Sequence, residues 1–381
     1  MVHRFDFPTS WRHGRGIVST CGSVLRKLGC ERPLLLTDRL LVEKGVVAPV
    51  VASLEATGLV YAVSDGITPE PTVALLDALL ATIDPDDFDS VLAVGGGSVI
   101  DVAKGIALLA QYGGHIRDYA GLGKVPGALT RPVVTVPTTA GTGSEISDGS
   151  VWIDEEAHTK FLVLSTHLCP KVALTDPEMT RSMPPRVTAN SGVDALTHAV
   201  ESYVSRDASA TSELFSLRAA GLIKAGLGAA YRDGDDLAAR ETVQLGATMA
   251  MIGGMNAHMG LCHAMAMPLC GLYPIPHGLA CALTLPHVLQ FNAQAVPQRV
   301  ADILRTLGIA LAAPGADPGA PYEQLRDFLG SVGVGARLGD LGYREEHLEL
   351  IVRETRKSVQ FQFNPRVATD DELAALVRRM V

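Results

Sequence analysis

Short apolar runs alternate with helical patterns through the first half of the chain. RPLLLTD (32–38), VYAVSDG (60–66), SVLAVGGG (90–97) and RPVVTVPTT (131–139) each end in turn-forming or polar residues, as buried strands do. Between them, VALLDALLATI (73–83) and VIDVAKGIALLAQY (99–112) repeat apolar side chains at helical spacing. This alternation predicts an α/β domain built on a mostly parallel sheet, over residues 1–185. After about Pro185 the strand signals end and Ala- and Leu-rich helical patterns take over. DGDD (233–236) stands before LAARETVQLGATMAM and TDD (369–371) before ELAALVRRM, both in N-cap position. The second half, 186–381, therefore reads as all-helical. No internal repeat and no low-complexity linker separates the two.

Composition narrows the class. With 381 residues, 47% apolar and 19% charged, the chain has enough apolar material for two packed domains. Its net charge of −9 is spread without a basic block, which argues against a nucleic-acid or anionic-membrane surface and for small-molecule ligands. The N-terminal stretch MVHRFDFPTSWRHGRG mixes charges with aromatics and lacks the apolar core of a signal peptide, so a cytoplasmic location is expected. Six cysteines without a C-x-x-C pair read as buried free thiols. From Thr242 to Gln298 there is no Asp, Glu, Lys or Arg, yet His258, His263, His277 and His287 lie there. Glycines, prolines and histidines interrupt this stretch too often for a membrane span, so it reads as a buried core around a site.

Two loops suit a nucleotide. Gly95, Gly96 and Gly97 lie between a buried strand and a helix beginning near Ser98, where the backbone can approach a pyrophosphate and meet it with helix N-terminal amides. A plain tight turn has the same composition, but this one stands at the carboxyl end of a strand, where open α/β sheets bind nucleotides. PTTAGTGSE (137–145) clusters Thr138, Thr139, Thr142 and Ser144 between glycines, a set able to bind phosphate and ribose or simply to form a polar loop. Asp38 closes the first of these strands, where a carboxylate accepts from ribose hydroxyls and repels a 2′-phosphate, pointing to NAD rather than NADP. The G-x-G at Gly14 and Gly16 lacks a third glycine and is set aside as a decoy.

SGVDALTHAVESY (191–203) carries Asp194 and His198 one helical turn apart in an otherwise apolar pattern, so both point from one face. They could be two ligands of one metal ion, or an ion pair. His263 and His277, in the charge-free stretch, would complete a set of three imidazoles and one carboxylate. Such a set suits Fe²⁺ or Zn²⁺ and is too nitrogen-rich for Mg²⁺ or Ca²⁺.

Taken together, these residues resemble the iron-containing (group III) alcohol dehydrogenases. The resemblance runs through T-D at 37–38, GGGSVID, PTTAGTGSE, Lys160, TDPEM (175–179), D-A-L-T-H-A-V-E, H-A-M-A, P-H-G and NPR (364–366). It implies an N-terminal dinucleotide-binding α/β domain, an all-helical C-terminal domain, and one divalent metal ion, Fe²⁺ before Zn²⁺, held by Asp194, His198, His263 and His277. It also implies NAD contacts at Asp38, Gly96, Gly97, Ser98, Thr138, Thr139, Thr142 and Lys160. The activity implied is NAD- and metal-dependent interconversion of an alcohol with its aldehyde or ketone, by a homodimer or larger homo-oligomer.

Departures from the family pattern qualify the substrate. Met267 stands where a histidine is usual, four residues after His263, so a proton-handling group is missing and His258 becomes the candidate to supply one. Gly149 and Gly254 are small where bulkier residues are common, which suggests a roomier pocket, and Glu70 replaces an asparagine near the cofactor. Maleylacetate reductase, or another reductase of small anionic aldehydes, is the alternative within the superfamily. A dehydroquinate-synthase-type lyase is the more distant one. It would need Lys and Arg for a phosphate, which 242–298 does not supply.

Overall fold

A computed structural model describes residues 4–156, 159–313 and 315–381, so the first three residues of the N-terminal stretch read above lie outside the described residues. The chain divides into two compact units, Asp6–Met183 and Pro184–Val381, the latter joined by the N-terminal residues before Asp6.

The first unit contains strands β1 (Ser10–His13), β2 (Pro33–Leu36), β3 (Ala62–Ser64), β4 (Ser90–Gly95), β5 (Gly121–Leu122), β6 (Val133–Pro137), β7 (Gly149–Asp154), β8 (Thr159–Leu164) and β9 (Val172–Thr175). Its helices are α1 (Cys21–Lys27), α2 (Arg39–Glu43), α3 (Ala48–Ala56), α4 (Val73–Leu80) and α5 (Gly97–Tyr112). Six strands form one sheet in the order β1-β9-β6-β4-β2-β3, parallel throughout. The side chains of its central strands alternate between two cores. Leu34, Leu36, Val91, Ala93 and Val133 pack with α4 and α5, while Leu35, Leu92, Val94, Val134 and Val136 pack with α1 and α3. Both faces are thus covered, so these strands read as continuous apolar runs rather than alternating ones.

All four strand expectations and both helix expectations correspond to elements of this unit. The other five strands of the unit, β1, β5, β7, β8 and β9, lie outside those expectations. β1 is an edge strand of half-exposed residues, SWRH, and β7 and β8 form an antiparallel pair that joins β5 in a separate three-stranded sheet.

From β2 the chain steps outward to β3 and then returns past β2 to β4 before continuing to β6 and β9. The direction of winding reverses between β2 and β4. In such sheets the crevice outside the carboxyl ends of the two strands is where ligands bind. Here those ends carry Thr37–Asp38 and Gly95–Gly97.

The second unit is helical: α6 (Pro185–Val204), α7 (Ala210–Arg232), α8 (Leu237–Ala257), α9 (Leu261–Leu272), α10 (His277–Asn292), α11 (Pro297–Thr306), α12 (Ala320–Ser331), α13 (Leu348–Lys357) and α14 (Asp370–Met380). Asp236 caps α8, and Thr369 with Glu372 forms a capping box on α14, as the two polar clusters imply. The charge-free stretch runs through most of α8 and all of α9 and α10. Among the described residues, no helix is long and apolar enough to cross a membrane.

Candidate functional site

Helix α6 starts at a proline, where the missing amide costs nothing, and its C-terminal half is buried without interruption from Gly192 to Val204. An acid in such a helix must be met by partners. Asp194 Oδ1 lies 3.8 Å from His198 Nε2, 3.6 Å from His263 Nε2 and 3.7 Å from His277 Nε2. His263 and His277 come from the first turns of α9 and α10, so three helices converge on one carboxylate oxygen. Asp194, His198 and His263 are buried, whereas the His277 side chain is 35% exposed and gives the centre one side open to solvent.

These separations are long for hydrogen bonds. They approach the edge of about 3.4 Å that a tetrahedron with 2.1 Å metal–ligand bonds would have. The rings are arranged accordingly, with His198 and His263 stacked at 4.7 Å and His277 tilted 5.4 Å from His263. Among the described residues the buried His198 Nδ1 has no hydrogen-bond partner, and the other ring nitrogen, Nε2, is the one that faces Asp194. The donor set thus fits a borderline divalent cation. Burial disfavours the Asp194 carboxylate, but the surrounding imidazoles outweigh it and hold its pKa well below the usual range. Burial, opposed by Asp194 and reinforced by the neighbouring rings, lowers His198 to about 4 and favours the neutral ring that metal binding needs.

Two further residues belong to this cluster and were not singled out from the sequence. Glu201, one turn beyond His198 on α6, is buried and lies 2.6 Å from His263 Nδ1. A carboxylate can only accept there, so Nδ1 carries a proton and Nε2 is the ring nitrogen available to a metal ion. Glu201 also accepts from the amides of Cys262 and His263, capping the start of α9. Burial works against its charge, but these hydrogen bonds bring its pKa below the ordinary value. Cys281, one turn after His277 on α10, is the second: Asp194, His263, His277 and Cys281 offer donor atoms that all lie within 4.8 Å of one another. The signal for both was helical spacing, three residues from His198 and four from His277.

The NPR motif has a structural part here. Asn364 exchanges amide hydrogen bonds with Asn292 at 2.9 and 2.8 Å, and its Oδ1 accepts from the Leu261 amide. It thereby ties the start of α9 to the end of α10.

His258 ends α8 in the left-handed region, with φ 64°, and its ring stacks on Phe363 and faces Asp207 at 3.8 Å. Met267 is half-buried one turn after His263 on α9. The expectation of added room at Gly254 does not hold, because a Cβ there would come within 2.4 Å of Met259 Cε. The absent side chain makes space for Met259. Gly149 lies in β7, where a Cβ would press on Leu164 at 3.1 Å.

In the first unit, the glycine loop and the 137–145 loop pack against each other. The Thr138 amide donates to Gly95 O, a Cβ on Gly96 would meet Thr139 at 3.2 Å, and one on Gly97 would meet Thr142 at 2.9 Å. A side chain at either glycine would therefore press on the neighbouring loop, and α5 begins at Gly97, one residue before the position expected. Beneath them Lys104 Nζ lies 2.7 Å from Gly149 O, 2.9 Å from Ser147 O and 3.1 Å from Ser147 Oγ, while Asp101 accepts from Ser144 and from the Val151 amide. Burial lowers the Lys104 pKa and raises that of Asp101, each opposed by the other's charge. This buried pair pins the second loop to α5.

The remaining expected cofactor residues lie around the same loops. Asp38 caps α2 by accepting from the Leu41 amide at 2.9 Å, and a carboxylate with about four lone-pair sites has capacity left. Ser98 Oγ accepts from the Glu70 amide at 3.1 Å, and the Glu70 carboxylate lies 3.3 Å from Lys160 Nζ. Glu70 itself has φ 59°, a region disfavoured for a residue with a Cβ. The departure at Glu70 thus engages two residues of the expected cofactor set.

Comparison with known proteins agrees with this picture. The model of iron-containing alcohol dehydrogenases matches residues 8–177, and that of the C-terminal domain of the same family matches 188–381. Lactaldehyde reductase of Escherichia coli (strain K12) is 34% identical over 372 residues, 97% of this chain and 96% of that protein. A crystal structure of a 1,3-propanediol oxidoreductase superposes with a TM-score of 0.94 at 33% identity, covering 100% of both chains. Sulfoacetaldehyde reductase from Bifidobacterium kashiwanohense, solved in complex with NAD+, superposes with a TM-score of 0.90 at 29% identity over 100% of this chain and 99% of that one.

Proposed function

The chain belongs to the iron-containing alcohol dehydrogenase family, and on that premise we propose an NAD(H)- and metal-dependent oxidoreductase that interconverts an alcohol with its aldehyde or ketone. The observation that carries this reading is the convergence of three imidazoles and one carboxylate in a buried, one-sided centre. When bound, the ion supplies Lewis-acid polarisation of the substrate oxygen and the nicotinamide supplies or takes the hydride.

The chain's own residues do the rest. Asp194, His198, His263 and His277 hold the ion, Fe²⁺ or Zn²⁺, and Glu201 keeps His263 in the tautomer that presents Nε2. Gly96 and Gly97 let the backbone approach the pyrophosphate. Ser98, Thr138, Thr139, Thr142 and Lys160 surround the dinucleotide, and Asp38 accepts from its adenosine ribose. In this reading residues 1–185 form the NAD-binding domain and 186–381 the metal-binding one. A homo-oligomer in the cytoplasm acting on a small alcohol or aldehyde belongs to the same proposal.

The test is NADH oxidation against a panel of aldehydes and keto acids with Fe²⁺ or Zn²⁺ restored. Stoichiometric consumption of NADH is expected, and catalysis without net NADH turnover would instead establish the lyase alternative. NADH should be preferred to NADPH by about tenfold or more, the ~1.4 kcal/mol of like-charge repulsion between Asp38 and a 2′-phosphate. Asp38→Gly should narrow that preference. Equal efficiency with both cofactors in the unmodified enzyme would remove Asp38 from this role.

A thioether cannot hold the alcohol proton near neutral pH, so Met267 contributes apolar contact and the proton leaves by another path, through His258 or a cofactor ribose hydroxyl. Met267→His should add an ionisation between about pH 5 and 8 to the turnover profile. His258→Ala tests the other path. An unchanged profile and substrate preference in Met267→His would mean that position 267 does not face the reaction.

A further inference from the structure

Cys281 stands beside the residues that would hold the ion. Its side chain is fully buried on α10, four residues after His277, so the two project from the same face of that helix. Its sulfur lies 3.6 Å from Asp194 Oδ1, 3.6 Å from His277 Nε2 and 4.0 Å from His263 Nε2. With a metal–sulfur bond near 2.3 Å and metal–nitrogen bonds near 2.1 Å, the angles of roughly 90–120° found in a five-donor site place sulfur about 3.1–3.8 Å from its neighbouring donors. Two of the three separations fall in that range and the third exceeds it slightly.

A buried cysteine is most often a small apolar filler, and Cys21 and Cys30 fit that description within the first unit's core. Cys281 differs because its sulfur faces three polar donors, each using the atom that also faces the centre of the cluster. Cys270 provides the contrast. Its sulfur is 3.8 Å from His277 Nδ1, the ring nitrogen on the other side from Nε2, and it is not among the mutually close donors. His198 is not a member of that group of four either, although its Nε2 faces Asp194.

We propose that the Cys281 sulfur is itself a donor to the ion held by Asp194, His198, His263 and His277, making the centre a mixed sulfur, nitrogen and oxygen site. This rests on the metal-dependent reading above and deepens it. Coordination exchanges the S–H bond for a sulfur–metal bond, the proton passing to solvent, with no change of oxidation state. A sulfur donor selects Zn²⁺, Co²⁺ or Fe²⁺ over Mg²⁺ and Mn²⁺ more strongly than nitrogen and oxygen alone would.

X-ray absorption on the full-length protein loaded with one equivalent of Zn²⁺ decides the matter. A sulfur shell near 2.3 Å beside nitrogen and oxygen near 2.0–2.2 Å is expected. The shell should vanish in Cys281→Ala, with zinc still bound, and persist in Cys270→Ala. Cys281→Ser provides the same comparison if the alanine variant does not fold. Co²⁺-loaded protein gives an independent reading through a near-ultraviolet sulfur-to-cobalt charge-transfer band, lost in the Cys281 variants. A shell of nitrogen and oxygen alone in the unmodified protein, or a sulfur shell that survives removal of Cys281, overturns the proposal while leaving the metal site intact. A protein that binds no ion at all overturns the metal-site reading and this proposal with it.

Discussion

Replacing His263 with alanine is expected to leave a folded protein that binds little metal and turns over at least about three orders of magnitude more slowly, the ~4 kcal/mol that loss of a Lewis acid removes. His263 is central to the cluster: its Nε2 faces Asp194 and its Nδ1 is engaged by Glu201. Truncation should cost about 2–4 kcal/mol of stability as a core cavity, within what a large domain tolerates. The Glu201 carboxylate is not stranded by the change, because the backbone amides of residues 262 and 263 remain to donate to it. Elemental analysis beside circular dichroism and steady-state rates checks the outcome. Full metal occupancy with near-normal turnover would show that the ion is held elsewhere.

Glu201→Gln is expected to weaken metal binding by about 10- to 100-fold, the range typical for removing the carboxylate behind a ligating histidine. The amide keeps the shape and one acceptor for the start of α9, so folding should be little affected. What is lost is the negative charge that fixes the His263 tautomer and raises the basicity of Nε2. Competition with a chelator of known affinity measures the change, and Glu201→Asp, which retains the charge on a shorter side chain, should recover part of it. Unchanged affinity in the glutamine variant would reduce Glu201 to a helix cap.

The sequence pattern and the tertiary arrangement decided different parts of this protein. Local periodicity was enough for β2, β4 and β6 and for α4 and α5, because strands buried on both faces must be continuously apolar and helices must repeat every three or four residues, and it also located β3, although that edge strand is largely exposed. The edge strand β1 escaped it, since half-exposed SWRH owes its conformation to pairing with β9, more than a hundred residues later. In the metal cluster, the spacing of Asp194 and His198 within one helix is a local fact, and so are those of His198 with Glu201 and of His277 with Cys281. Spacing could not say that α9 and α10 bring His263 and His277 to the same carboxylate oxygen, nor that Glu201 closes on His263. The same holds for Gly254, which composition alone presents as open space and packing shows to be filled by Met259. A helix fixes neighbours one turn apart through its own backbone hydrogen bonds. Which residues meet between helices depends on how entire apolar faces pack, and only the folded chain determines that.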